Sequence, residues 1–382
     1  MSGATPSPVS PAGTSPKTSR SRKLIPIVGL IIALLAIVVI YSMQPKQGIV
    51  LGTLGGQYSL GSAINDKGTA VGSHSFKDGR TVAFVWTELS GMQRMNAKET
   101  GLDHAVDINN FGWIVGWTIN AERTSSRAFI RNQKGETTKL GTMGRDSSFA
   151  WAINDRGDVV GYVEYSPFGR QAFLYTQERG MRSLGTLGGD DSEATGINND
   201  GTVVGFANTK TGEEHASFWT EKTGMADLET LGGTRSKAWG INDAGCIVGE
   251  SLTKQGETHA FIWTEKDGMM DLGTLGGDYS CARAINDSNQ VVGSSTLKNG
   301  STHAFFWSKE TGMVDLGTAG ADHSHARDIN NAGQIVGHAR YDDPWWLKAW
   351  NKLRRKLRLS SKYIVTKPPH YEAVLWTAPK SE

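Results

Sequence analysis

Three histidines, His215, His259 and His303, occupy one position of a motif that recurs every 44 residues. Imidazoles at fixed spacing suggest a metal ring, but ligands must converge to about 2 Å from one ion. Equivalent positions of successive repeats lie apart, so these histidines are expected to be structural or surface residues, and no metal or cofactor is assigned. A second set offers more. The heptapeptide S-x-A-x-[AGD]-I-N recurs seven times, with Gly61 in place of the alanine in the first copy and Asp103 in place of the serine in the second, and its first, third and fifth positions stay small. Its second and fourth positions vary: Leu60/Ser62, His104/Val106, Phe149/Trp151, Glu193/Thr195, Lys237/Trp239, Cys281/Arg283 and His325/Arg327. Two tryptophans, a phenylalanine and both signs of charge suit the stacking of a sugar ring or the gripping of a peptide. The candidate ligand-binding residues, at a channel mouth, are therefore His104, Phe149, Trp151, Glu193, Lys237, Trp239, Arg283, His325 and Arg327. The competing reading is that they merely plug or pack around the channel. Glu193 alone is a poor basis for glycoside hydrolysis, which usually needs two carboxylates, so no catalytic residue is assigned.

What positions these residues is a repeat. Ile-Asn falls at Ile64, Ile108, Ile153, Ile197, Ile241, Ile285 and Ile329 with the asparagine following each, a period of about 44 residues. That spacing is expected when each repeat is one propeller blade. Each unit divides into four short strands: the heptapeptide, a Val-Val-Gly strand after a tight N-D-x-G turn, an aromatic strand such as residues 303–307, and a short strand after a Gly-Met turn. Glycine-rich loops such as residues 273–277 lead to the next unit. They lack the Lys-Ser/Thr and helix of a phosphate cradle, and the N-D-x-G turns lack the alternating oxygens of a calcium loop. The last unit ends at its third strand, residues 373–376, and residues 49–51 form an orphan fourth strand before the first unit. Each end supplies what the other lacks, and a ring removes its free ends by joining them. The expected fold is all-β: a seven-bladed β-propeller with N-terminal strand closure over residues 47–382.

The segments His259-Ala260-Phe261-Ile262-Trp263 and His303-Ala304-Phe305-Phe306-Trp307, with their Asp-Leu-Gly-Thr-Leu-Gly-Gly partners, resemble the HAF-repeat family of extracellular proteins. The resemblance covers about residues 48–378. Val82-Ala83-Phe84 and Arg127-Ala128-Phe129 lack the histidine, and His215-Ala216-Ser217-Phe218-Trp219 is offset. It implies an exported repeat protein of unknown biochemical role and carries over no catalytic residue.

Charge is unevenly placed. The chain carries +2 overall, with +5 in residues 1–46 and +6 in residues 341–370, which leaves −9 on the repeat body. An acidic body argues against nucleic acid as partner. Two cysteines, Cys246 and Cys281, are too few for a disulfide scaffold and are expected as free thiols at opposite ends of their blades. Residues 1–23 read as a disordered basic cytoplasmic tail. Residues 24–43 read as a transmembrane helix, an uncleaved signal-anchor rather than a signal peptide, with the propeller periplasmic or extracellular. Within the last unit, residues 341–370 form an insertion whose Trp346, Trp350, Leu353 and Leu357 make an amphipathic helical stripe. Trp345, Trp346, Trp350, Lys352, Arg354 and Arg355 are its candidate membrane or partner contacts; docking on the propeller itself is the alternative. The functional expectation is a non-enzymatic, membrane-anchored extracytoplasmic scaffold that recognises a protein or envelope polysaccharide. The alternatives are a carbohydrate- or small-molecule-active enzyme with its site at the channel mouth, and a purely structural spacer.

Overall fold

The computed structural model describes residues 3, 48–56, 58–95, 102–120, 122–165, 169–342 and 370–379. The repeat region lies within one compact unit, Gln47–Glu382. The expected tail and membrane helix, and all of the insertion except residues 341, 342 and 370, fall outside the described residues. Among the described residues no helix is long and apolar enough to cross a membrane.

The described residues are all-β. Each repeat gives an antiparallel meander, for example Gly188–Ile197, Val203–Thr209, Glu214–Thr220 and Gly224–Asp227. In the fourth to sixth units the first strand starts at the Gly-Gly of the preceding loop, earlier than the heptapeptide (Gly188, Gly232 and Gly276). Cys281 therefore lies inside its strand rather than opening it, fully buried, while Cys246 sits just before Ile247–Thr253; both thiols are free. The last unit is completed from the other end of the chain. Its third strand, His370–Thr377, pairs antiparallel with Ile49–Gly52, in the register Ile49 to Leu375 and Val50 to Val374.

The recurring residues explain themselves through bonds between units. The serine that opens the heptapeptide is buried and accepts the backbone N–H of the alanine in the preceding aromatic strand. Six such bonds of 2.7–3.0 Å run from Ala128 to Ser148, Ala172 to Ser192, Ala216 to Ser236, Ala260 to Ser280, Ala304 to Ser324 and Ala373 to Ser59. The Ile-Asn asparagine does two jobs. Its Oδ1 accepts a backbone N–H four residues on, as Asn198 does from Thr202, and so sets the turn. Its Nδ2 donates to the carbonyl of the corresponding asparagine in the next unit. Seven of these bonds, 2.9–3.2 Å long, pass from Asn65 through Asn109, Asn154, Asn198, Asn242, Asn286 and Asn330, which donates back to Asn65. The following residue repeats the circuit: the N–H of each donates to the next Asp or Asn Oδ1, and Asn331 returns to Asp66. Two closed hydrogen-bonded circles thus bind one end of all seven first strands, a propeller-like ring. Each buried amide is paired, as burial demands.

The glycine of Val-Val-Gly is set by crowding. A Cβ at Gly249 would collide with the carbonyl oxygen of Lys237 and press on Phe261. The same collision recurs at Gly205 with Glu193 and at Gly293 with Cys281. On the outer edge the histidines find the role expected of them. Nδ1 of His215, His259 and His303 donates to Asp227, Asp271 and Asp315, each at 2.8 Å. Each aspartate also accepts a loop N–H at 2.7 Å, from Glu229, Gly273 and Gly317. The HAF and DLG motifs are two halves of one clamp that fastens the fourth strand.

Candidate ligand-binding site

The seven first strands surround a cavity of about 540 Å³. Its wall includes His104, Trp151, Glu193, Trp239, Arg283 and Arg327, six of the nine residues singled out in the heptapeptide. The other three lie elsewhere. Phe149 stacks on Tyr162 at 4.8 Å between ring centroids and meets Trp117 edge-on at 5.5 Å. Lys237 lies in a separate side pocket, its Nζ 2.9 Å from Glu214 and 4.3 Å from the Phe206 ring centre. His325 stacks on His338 at 5.0 Å. Register gives the reason. The second heptapeptide position faces the residue after Val-Val-Gly: His104 opposite Trp117, Phe149 opposite Tyr162, Glu193 opposite Phe206 and His325 opposite His338. Side chains on one face of an antiparallel pair meet at this distance, and Phe149 and His325 are held by their cross-strand partners, whereas Lys237, opposite Glu250, is held by Glu214 and the Phe206 ring.

That facing position is what reading the heptapeptide alone misses. Trp117 and His338 line the cavity together with the heptapeptide residues. The signal was available, because the residue after Val-Val-Gly varies across Ser73, Trp117, Tyr162, Phe206, Glu250, Ser294 and His338. Trp117 links the aromatic wall, stacked on His104 at 5.0 Å and edge-on to Trp151 at 5.5 Å.

Two further carboxylates correct the view that Glu193 is alone. Asp107 and Asp328 occupy the fifth heptapeptide position and line the cavity beside the asparagine circle. Both act as clips between units. Asp107 accepts the N–H of Ile108 and of Ile153, each at 2.8 Å. Asp328 accepts that of Ile329 at 2.9 Å and of Ile64, 264 residues away, at 2.8 Å. Burial pushes the Asp107 carboxyl up to about 6 against the pull of those N–H donors. Burial, with Asp107 adding repulsion, pushes Asp328 to about 7.

The cavity wall also carries two cations, Arg283 and Arg327. Arg283 lies over the Trp239 ring, 4.2 Å from its centre. Burial and the neighbouring Arg283 bring the Arg327 guanidinium down to about 10; its surface faces the cavity while protein surrounds it. Glu193, 5% exposed, is raised by burial although Arg170 approaches to 2.5 Å. The Trp151 indole N–H acts on Glu193 without reaching hydrogen-bond geometry. Among the described residues there is no cluster of three or more side chains fit to hold a metal ion. The arrangement can stack a ring and grip a negative group.

Residues 229–356, about a third of the chain, match the profile of a family described as a protein of unknown function, DUF3466. No curated protein matches. Among solved structures, the β-propeller domain of the Trilobed protease from Pyrococcus furiosus is 11% identical, with a TM-score of 0.49 over 74% of this chain and 90% of that one. A puromycin hydrolase is 14% identical with a TM-score of 0.49, over 78% of this chain; the match spans about half of that enzyme, 52%. TolB from Acinetobacter baumannii is 10% identical with a TM-score of 0.43, over 81% of this chain and 80% of that one. At these levels of likeness the fold of this chain rests on its own strand pairing.

Proposed function

We propose that the protein is a seven-bladed β-propeller, closed by its N-terminal strand, that binds a ligand in its central cavity as a membrane-anchored, extracytoplasmic recognition or scaffold module. The observation that carries this reading is the cavity wall. Tryptophans and unpaired guanidiniums from successive units converge on one space within the usual size range of ligand sites. The strand grouping and the two closed circles support the blade count and the closure. The anchor rests on the uncharged apolar run of residues 24–41 and the basic cluster before it. The ligand is an envelope polysaccharide or protein. Against an enzyme stands the use of Asp107 and Asp328, whose oxygens are each occupied by backbone N–H groups.

Photo-crosslinking in the native cells tests this reading. Probes replacing Trp239 or Arg327, both in the cavity wall, are expected to give a discrete adduct that a probe at the fully exposed Leu89 does not. Adducts no more frequent from the cavity than from Leu89 would sink the proposal.

A further inference from the structure

The cavity has a chemical polarity that narrows its ligand. Arg283 and Arg327 come from the fourth heptapeptide position of adjacent units and line the same wall. Arg327 is exposed toward the cavity and Arg283 is partly buried, and like charges side by side repel. Among the described residues neither guanidinium has a hydrogen bond or a close ion pair: Arg283 lies over the Trp239 ring and feels the charge of Glu250 at longer range, and Arg327 has no acidic partner in contact. The acids that line the cavity are engaged elsewhere, Glu193 with Arg170 and Asp328 with two backbone N–H groups. A third group completes the wall. His338, 6% exposed, also lines the cavity; its Nδ1 is enclosed by protein without a partner, which leaves Nε2 as the ring nitrogen that can reach a ligand. Burial and the nearby Arg327 hold its imidazole neutral, so it can donate one hydrogen bond to an anion without adding charge.

Resting on the ligand-binding reading above, we propose that Arg283, Arg327 and His338 form an oxyanion subsite and that the ligand is an acidic saccharide. Its ring lies on the tryptophan side of the cavity, and its carboxylate, sulfate or phosphate is held by the two guanidiniums. Planar guanidiniums grip such groups with paired N–H bonds. Indole faces stack on the C–H faces of a ring, and the hydroxyls of Ser62 and Ser73 in the same wall match ring hydroxyls. The two arginines repel each other when the site is empty, and a bound anion removes that repulsion.

Isothermal titration of the full-length chain tests the idea with four probes: a glucuronate-bearing disaccharide, its carboxyl-reduced neutral counterpart, a sulfated neutral disaccharide and an Asp/Glu-rich peptide. The expected result is binding of one or both acidic sugars about tenfold or more tighter than the neutral one. Carboxylate against sulfate preference identifies the oxyanion. Arg327→Gln should abolish that preference and Arg327→Lys should keep part of it. Thermal melting of both variants checks the fold, since removing one of two repelling cations is not expected to destabilise it. Equal binding of acidic and neutral sugars overturns the oxyanion subsite and leaves ligand binding standing. Arginine-dependent binding of the peptide alone overturns the saccharide class. No binding by any probe overturns the subsite together with its acidic ligand, and the crosslinking above then decides separately whether the cavity binds anything.

Discussion

Asp328 makes the charge state of the ring a measurable quantity. Its carboxyl titrates near 7 in the folded protein, against an ordinary value of 3.8. The folded state therefore holds this proton more tightly than the unfolded chain. The stabilisation is fully present below about pH 3.8 and is lost as pH rises through about 7. A difference of about three units corresponds to about 4 kcal/mol across the whole range, at about 1.4 kcal/mol per unit. Between about pH 5.5 and about pH 8.5 roughly 2 kcal/mol of it remains to be lost. Asp328→Asn removes the titration while keeping the shape. It also leaves one backbone N–H, of Ile64 or Ile329, facing an amide nitrogen, a fixed cost of about 1–3 kcal/mol at every pH. The histidines His74, His104, His325 and His338 have lowered values, mainly through burial, and favour the fold in the opposite direction. They are common to both proteins and cancel in the comparison. Urea unfolding followed by tryptophan fluorescence at the two pH values gives the difference directly. The variant should gain on the wild type by about 2 kcal/mol as pH rises. A difference that is flat or of opposite sign would refute the reasoning that burial dominates this carboxyl.

Other outcomes follow from the same structure. Asn330→Ala opens one link of the asparagine circle and removes the side-chain acceptor of the Gln334 N–H; a loss of about 1–3 kcal/mol in chemical unfolding is expected. Gly249→Ala forces a methyl group against the Lys237 carbonyl and should cost about 3 kcal/mol, whereas Gly256→Ala, with open space around it, should show only the smaller strain of its positive φ. His303→Ala removes an outer clamp and should cost less than about 1 kcal/mol. The Asp315 carboxyl stays below its ordinary value, since the His303 and Gly317 hydrogen bonds outweigh its burial, so its contribution is present above the unfolded value and fades as pH falls through the folded one. Thiol-reagent kinetics should show Cys246 reacting in the native protein while Cys281, buried and pushed to about 12, reacts only after unfolding.

The repeat was legible because the asparagine contact is made at all seven junctions and the serine contact at six of them. Ile-Asn, the opening serine and Val-Val-Gly each recur for a contact that is repeated round the ring, so seven copies in one chain stand in for seven measurements. The order of the strands and the partnership of residues 49–51 with the last unit followed from that recurrence. The cavity was legible only in part. Phe149, Lys237 and His325 carry the right chemistry, but the cross-strand register and local partners hold them out of the cavity wall, and spacing within one strand does not reveal that. Asp107 and Asp328 were hidden by a size rule. Aspartate is small enough to fit the fifth position, yet only its backbone partners show why two units use it where the others have alanine or glycine.

The junction between the last unit and the first is expected to fail in a definite order under load. The covalent chain enters the ring through Ile49–Gly52, a strand held to the last unit by a short ladder. A force applied through the preceding residues reaches this strand before any other. Peeling it away leaves Ser59 still joined to Ala373, Ile64 to Asp328 and Asn65 to Asn330. The outer strand is thus expected to act as a sacrificial latch, yielding first under tension while the inner contacts between the last unit and the first are still made.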